Sequence, residues 1–310
     1  MPNFTLRTVA FDKVYFRPIP ADSTRVAEVI AGNVDIAANI PPDQIKTIND
    51  SGIAQGVAVR GTRRMYVGIN FKASYANTPG GAAVQKKEVR QALQYAIDVP
   101  TICQTLLGTD CTRASSMVNP PNDNPNLKPY PYDPKMAGDL LDKAGYPLKD
   151  GVRFEITLQG PRGRYLNDAA VVQAIGQYLS DVGVKTTVDL QDWASYRSKL
   201  PTHDVGPLFF LGSGGDTWSA LYDMADITEP TGATNYTEWP NPDWFKLWAQ
   251  VNAERDPAKQ QTIINQMLQI MADDSPWLFL YFQPDFYAYS KRITWNAQAD
   301  KIYLYSAALK

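Results

Sequence analysis

A glycine-rich segment that follows an apolar run is the part of the sequence best suited to contact a ligand. The apolar run covers residues 206–211, and residues 212–218 read GSGGDTW. The glycines leave main-chain N–H and C=O groups open to close approach, and the carboxylate of Asp216 can pair with an amine. A ligand with main-chain-like amides would add to this segment as an extra strand. The same residues also fit a flexible turn before a helix that Asp216 or Thr217 caps. The ligand-binding candidates in this segment are Gly212, Ser213, Gly214, Asp216 and Trp218.

Two further candidates follow neighbouring strands of the predicted sheet. Arg164 comes after a strand that ends at residue 159, and Trp193 comes after a strand that ends at residue 190. If these strands run parallel to the strand before Asp216, all three residues lie at one rim of the sheet. Arg164 would then bind a carboxylate of the ligand, and Trp193 would offer it an apolar surface. Solvent-facing arginines and aromatic residues that cover a sheet edge have the same pattern, so both interpretations stay open.

Composition argues against several other kinds of chemistry. The 310 residues carry 30 Lys+Arg against 32 Asp+Glu, a net charge of −2, which gives no broad attraction for nucleic acid. His203 is the only imidazole, so a multi-histidine zinc site is impossible, and its setting resembles a loop more than a catalytic base. No spacing suggests a metal site or a cofactor, and we predict no catalytic residue. The longest apolar stretch, residues 277–282, is too short to span a membrane.

The two cysteines form a pair of their own. Cys103 and Cys111 are eight residues apart in a chain that has no other cysteine. This spacing suits one disulfide in an oxidising compartment. Paired free thiols are the alternative.

The elements that position these residues alternate regularly in the centre of the chain. We predict strands at residues 153–159, 184–190 and 206–211, separated by helices at residues 165–181 and 193–200. Such alternation predicts an α/β fold with a mainly parallel sheet, in which ligands bind beyond the carboxyl ends of the strands. The third strand is apolar on both faces and should be central.

Several ordered segments resemble family 5 extracellular solute-binding proteins, the peptide-, dipeptide- and nickel-binding components of ABC importers. The resemblance covers essentially the whole chain. The matching segments are residues 16–25 (FRPIPADSTR), 30–36 (IAGNVDI), 66–70 (YVGIN), 89–98 (VRQALQYAID), 132–146 (from YDP to AGY) and 190–193 (LQDW).

The resemblance implies a type II periplasmic-binding-protein-like fold, in which two α/β lobes close on a solute that is then delivered to membrane permease subunits. The favoured ligand is a peptide, and no cofactor is implied. In the family, main-chain groups matching residues 212–216 contact the peptide, and the acid matching Asp216 binds its α-amino group. The aromatic residue matching Trp193 lines a side-chain pocket. Asn70, at the end of the YVGIN segment, joins the ligand-binding candidates.

The order of the motifs also predicts how the chain is divided between the two lobes. Residues 1–66 would form part of lobe I, residues 67–277 a complete lobe II that binds the ligand, and residues 278–310 a return to lobe I. Arg63 and Arg64, at the expected crossover, are either structural or ligand-facing. We therefore expect one complete lobe plus part of the other, weak or no ligand binding by this chain alone, and self-association through the exposed face of the partial lobe.

The sequence also bears on where the protein is located and on its class of function. The N-terminus lacks the features of a secretory signal, so the chain is either cytosolic or already processed, and the resemblance favours a periplasmic protein. The alternative function is a carbohydrate-active hydrolase that uses paired carboxylates.

Overall fold

The structure is a computed structural model that describes residues 11–120, 122–214, 219–232 and 234–310. Two compact units divide the chain. Unit 1 comprises the described residues up to Gly61, together with Leu107–Thr109 and Gln283–Lys310. Unit 2 comprises Thr62–Leu106 and Asp110–Phe282.

The described residues form twelve α-helices and eight strands. The helices are α1 (Asp22–Ile30), α2 (Ile45–Asp50), α3 (Ala73–Ala76), α4 (Pro79–Val84), α5 (Lys87–Ala96), α6 (Val99–Leu106), α7 (Pro134–Lys143), α8 (Asp168–Asp181), α9 (Trp193–Lys199), α10 (Ala220–Thr228), α11 (Pro242–Ala253) and α12 (Pro257–Asp274). The strands are β1 (Ile36–Ala38), β2 (Ala54–Ile69), β3 (Phe154–Arg162), β4 (Val184–Asp192), β5 (Leu208–Gly214), β6 (Trp277–Ser290), β7 (Ile293–Thr294) and β8 (Ala308–Leu309).

Two long strands carry the chain from one unit to the other. The order of the motifs predicts boundaries after residues 66 and 277, whereas the units change after Gly61, within β2, and after Phe282, within β6. Each strand runs through its change of unit without a break. A boundary inside a strand leaves no loop or composition shift in the sequence to mark it.

Unit 1 is built on short antiparallel pairings around a small core. β1 pairs with the end of β6, and β7 pairs with β8. Trp295 packs edge-to-face against Tyr287, with ring centroids 5.4 Å apart, and its indole nitrogen donates to the Tyr303 carbonyl at 2.7 Å. These contacts tie the C-terminal segment to the unit.

Unit 2 is built on a mixed sheet with the strand order β6-β2-β5-β3-β4. β3 pairs parallel to β4 and to β5, whereas β2 pairs antiparallel to β5. The prediction of a mainly parallel sheet is therefore wrong outside the β3–β5 region, because β2 joins the sheet beside β5 without a βαβ crossover. The predicted central position of β5 is confirmed, and its residues Leu208, Phe209 and Phe210 are fully buried.

Local signals start and stop the helices that cover this sheet. Asp133 accepts a hydrogen bond from the Met136 N–H at 2.9 Å, Pro134 occupies the first turn of α7, and Gly145 has a φ of +91° just beyond its end. This is the pattern expected of a capped helix. α8 packs against β3 and β4, and α11 packs against α12. Because β3 runs parallel to β4 and to β5, the carboxyl ends of these three strands lie at the same edge of the sheet.

Candidate functional site

The glycine-rich segment begins as a strand and not as a loop. β5 runs through Gly214, which lies opposite Arg63 of β2 in antiparallel register. The prediction ended this strand at Leu211, because glycine and serine are poor strand formers. Pairing with β2 overrides that preference. Asp216 and Trp218 lie outside the described residues.

One edge of β5 loses its strand partner before the glycines. Pairing between β3 and β5 ends at the second residue of β5, and two tyrosine hydroxyls follow it along the same edge. Tyr196 donates to the Phe210 carbonyl at 3.1 Å, and Tyr165 donates to the Gly212 carbonyl at 3.2 Å. Alternate residues of a strand turn their main-chain groups to the same side. The N–H and C=O of Gly214 therefore point to this edge as well.

The two strand glycines have different reasons to be glycine. A Cβ atom on Gly212 would lie 2.6 Å from Met65 Sδ and 3.0 Å from both Arg63 Cδ and Tyr165 Cε1. The space beside Gly212 is thus filled by the protein's own side chains. A Cβ atom on Gly214 would come no closer than 3.9 Å to any described residue. Of the two, only Gly214 has open space beside it among the described residues.

Ser213 faces the opposite side of the strand and is buried. Its hydroxyl accepts a hydrogen bond from the Arg64 guanidinium at 3.2 Å. Arg64 also pairs with Asp223 of α10 at 2.6 Å, and both side chains are 1% exposed. Burial raises the pKa of Asp223, and Arg64 opposes that rise. The Ser213 side chain therefore belongs to a buried polar cluster, and its main-chain groups, which alternate with those of Gly212 and Gly214, face β2.

A buried carboxylate shapes the loop that follows β3. Asp168 is 3% exposed, and its two oxygens accept four main-chain hydrogen bonds. The donors are the N–H groups of Gly163 at 3.0 Å, Arg164 at 2.7 Å, Tyr165 at 2.9 Å and Ala169 at 2.8 Å. Sequence reasoning missed Asp168. The signal available was an acidic residue at a helix start after an RGR turn.

Four side chains from three elements form what we call the arginine–aromatic shelf: Arg63, Arg164, Tyr165 and Trp193. The guanidinium carbon of Arg63 lies 5.8 Å from the Tyr165 ring centroid, and that of Arg164 lies 5.3 Å from it. Arg164 also lies 5.0 Å from the Trp193 ring centroid. The Tyr165 hydroxyl donates to the Gly212 carbonyl, and burial raises the pKa of this hydroxyl, which keeps it protonated further into the alkaline range. The structure thus brings Arg164 and Trp193 together beside β5, as predicted, and adds Tyr165 and Arg63.

Asn70 is not part of this edge. It follows the carboxyl end of β2, and the antiparallel register places that end away from Gly214. Asn70 is fully buried, donates to the carbonyls of His203 at 2.9 Å and Gly206 at 3.0 Å, and accepts from the Lys72 N–H at 3.0 Å. Because its amide is used in these contacts, we assign Asn70 a structural role.

The cysteines, the possible metal ligands and the longer helices show what other kinds of chemistry the described residues could support. The structure joins Cys103 and Cys111 in a disulfide with a Cα–Cα distance of 5.8 Å. Within the described ranges, no three His, Cys, Asp or Glu residues group closely enough to hold a metal ion. A search of the same ranges finds no helix both long and apolar enough to cross a membrane. The described geometry offers main-chain groups, arginines and aromatic rings, which are groups that bind a ligand.

Comparison with known proteins gives one family match and several relatives. Residues 2–235 match the family described as bacterial extracellular solute-binding proteins, family 5 Middle. The glutathione-binding protein GsiB of Escherichia coli O6:K15:H31 (strain 536 / UPEC) is 27% identical over 292 residues, which are 91% of this chain and 54% of GsiB. The chain therefore spans about half the length of the curated relatives that it matches.

Solved structures share the fold at low sequence identity. HbpA2 from Haemophilus parasuis has a TM-score of 0.80 at 20% identity, over 97% of this chain and 59% of HbpA2. The oligopeptide-binding protein AppA from Bacillus subtilis, in complex with a nonapeptide, has a TM-score of 0.75 at 22% identity, over 94% of this chain and 59% of AppA. The predicted type II periplasmic-binding-protein-like fold is confirmed. The hydrolase alternative finds no support in these comparisons.

Proposed function

The chain belongs to family 5 of the bacterial extracellular solute-binding proteins, and from this premise we propose that it is the non-catalytic substrate-binding component of an ABC importer. It captures a small solute, with a peptide as the favoured ligand, outside the cytoplasm. It then delivers that solute to permease subunits at the membrane. We propose further that unit 2 corresponds to lobe II and unit 1 to part of lobe I.

The observation that carries the proposal is the edge of β5 beside the arginine–aromatic shelf. An extended ligand could pair its main-chain amides with the N–H and C=O of Gly214, as in peptide recognition by strand addition. Trp193 would contact a ligand side chain, and Asp216 would pair with the ligand's amine. The names of relatives point the same way, because GsiB is described as glutathione-binding and AppA was solved with a nonapeptide.

A direct test is to titrate the isotopically labelled chain with pools of short peptides at millimolar concentration and to follow its amide signals by NMR. We expect the Gly214 signal to shift, and the shift to weaken in Asp216→Asn. Asp192→Asn is the matched control, because Asp192 is an exposed acid that ends strand β4 of the same sheet and caps α9. NMR detects the weak binding that we expect of this chain, and isothermal titration measures its strength.

Two results would contradict the proposal, and a third would contradict the role of Asp216 alone. Peptide-induced shifts confined to residues far from β5 would place the ligand elsewhere. Cleavage products in mass spectra after incubation with peptides or oligosaccharides would favour an enzyme over a binding protein. If Asp192→Asn weakened the Gly214 shift as much as Asp216→Asn, the specific role of Asp216 would be lost.

A further inference from the structure

The side chain of Arg64 joins the end of β5 to the helix α10 inside unit 2. Its Nη2 donates to the Ser213 hydroxyl at 3.2 Å, and its Nη1 pairs with the Asp223 carboxylate at 2.6 Å. All three side chains are buried. Arg64 and Ser213 also lie opposite each other in the register between β2 and β5. One buried guanidinium therefore bridges a strand end and a helix.

Ser213 offers the only side chain by which the last residues of β5 can be held. Its neighbours Gly212 and Gly214 have none, and glycine and serine are poor strand formers. β3 no longer pairs with β5 at this point. The strand end therefore depends on pairing with β2, on the Tyr165 hydroxyl and on the bond between Ser213 and Arg64.

The other partner of Arg64 lies on a helix that the hydrophobic core holds in place. Met224 and Ile227 of α10 are fully buried in the core of unit 2. Asp223 precedes Met224 and also accepts the main-chain N–H of Asn119 at 3.4 Å. The carboxylate of Asp223 therefore has a fixed position before any ligand arrives. An arginine suits the bridge, because its planar guanidinium presents several N–H donors in fixed directions to two acceptors at once.

We propose that Arg64 is a positioning residue of the ligand site, because its bridge fixes the strand end that carries Gly214. This inference rests on the proposed function, since Gly214 is the residue with which we propose that the ligand pairs. Arg64 acts from the buried face of the sheet and does not touch the ligand. Without the bridge, the end of β5 also populates other conformations. The affinity then falls in proportion to the fraction of molecules that keep the competent conformation.

The first test compares Ser213→Thr with Ser213→Val, because threonine and valine have the same shape and only threonine keeps the hydroxyl. Each labelled variant is titrated with tri-alanine, and binding is followed through the Gly214 amide signal. We expect Ser213→Val to bind about tenfold more weakly than Ser213→Thr, since one hydrogen bond from a charged donor is worth about that factor. Without ligand, the amide of residue 213 should exchange its hydrogen faster in Ser213→Val by a similar factor.

The second test removes the ion pair itself. In the double variant Arg64→Met, Asp223→Leu, apolar side chains replace both buried charges, a change that often costs a protein little stability. We expect weaker binding of tri-alanine at a urea midpoint close to that of the wild-type chain. Arg90→Met is the matched control, because Arg90 is also buried and pairs with Asp274. Its guanidinium lies over the Phe71 ring, beyond the opposite end of β2. This control should lower the urea midpoint and keep the affinity for tri-alanine.

Several results would overturn the positioning role of Arg64. Equal affinity of Ser213→Thr and Ser213→Val for tri-alanine would refute it while leaving the proposed peptide site intact. A loss of affinity in Arg90→Met as large as in the double variant would reduce the effect to general destabilisation of unit 2. If neither tri-alanine nor the peptide pools shifted any signal of β5 in the wild-type chain, the proposed function would fail. Equal exchange rates at residue 213 in the two Ser213 variants would refute the bridge by itself, whether or not a peptide binds.

Discussion

The loop that carries Arg164 and Tyr165 should depend on one carboxylate, that of Asp168. The substitution Asp168→Asn keeps the size of the side chain but turns one acceptor oxygen into an NH2 group. Each oxygen accepts two of the four main-chain bonds, so two bonds are lost whichever way the amide turns. At about 1.5 kcal/mol each, the lower end for a charged acceptor, the loss predicts about 3 kcal/mol of destabilisation.

Urea-induced unfolding followed by circular dichroism measures this loss. Asp192→Asn is the matched control, because Asp192 is an exposed N-cap that accepts from the Ser195 N–H at 3.1 Å. Asparagine caps helices about as well as aspartate, so the control should cost less than about 1 kcal/mol. In Asp168→Asn the Nε–Hε signal of Arg164 should also move towards that of a free arginine, since its backbone is no longer held.

A clear outcome would refute this reasoning. If Asp168→Asn and Asp192→Asn lost the same stability within about 0.5 kcal/mol, an ordinary helix cap would account for Asp168. The four bonds would then not be what fixes the loop. An unchanged Arg164 signal in a destabilised Asp168→Asn protein would separate the stability of unit 2 from the geometry of the shelf.

Contacts within unit 2 support three further predictions. Gly212→Ala should lower the free energy of unfolding by about 1–3 kcal/mol, because its Cβ atom would meet neighbours near 3 Å. Gly214→Ala should lower it by less than about 1 kcal/mol in the same urea assay, because its Cβ atom would meet no such neighbour among the described residues. Equal losses in the two variants would contradict the packing argument. The Cys103–Cys111 disulfide joins residues that are 8 apart in the sequence, and its reduction should lower the free energy of unfolding by about 2.5 kcal/mol. Thiol titration of the unreduced protein should find no free cysteine. Burial raises the pKa of Tyr165, so the contribution of protonated Tyr165 to the free energy of unfolding is complete below about pH 10 and is lost as the pH rises through the folded-state pKa. In Tyr165→Phe the urea midpoint should therefore fall less steeply above about pH 10 than in the wild-type chain. An unchanged slope would contradict this prediction.

Much of the fold was readable because it depends on local patterns. The apolar run that ends at Leu211 predicted a buried central strand, and the alternation of elements predicted a helix at residues 193–200, which is α9; both are confirmed. The end of β5 was predicted wrongly because it depends on pairing with Arg63, a residue distant in sequence. Local propensity cannot register a partner strand that arrives from elsewhere in the chain.

The sequence predicted only part of the candidate site, because the rest depends on strand pairing and on main-chain contacts. Once β5 extends to Gly214, the alternation of side chains places Ser213 on the face opposite Gly212, so its burial follows from the strand end that was missed. The signal for Asp168, an acidic residue at a helix start, does not distinguish a loop anchor from an ordinary helix cap, because the donors to Asp168 are main-chain N–H groups that any sequence would supply. The shelf partner Arg63 required the register between β2 and β5, which the sequence does not state.

The two tyrosine hydroxyls that donate to carbonyls of β5 should limit aggregation of this chain at high concentration. An open strand edge invites pairing with another molecule, which leads to aggregation. Here Tyr196, which is fully buried, and Tyr165, which is 8% exposed, already occupy the carbonyls of Phe210 and Gly212. A strand from a second copy that docked at Gly214 could not extend along β5 without breaking both hydrogen bonds, at about 1 kcal/mol each. The edge at which we propose that a short ligand binds therefore resists the growth of an intermolecular sheet.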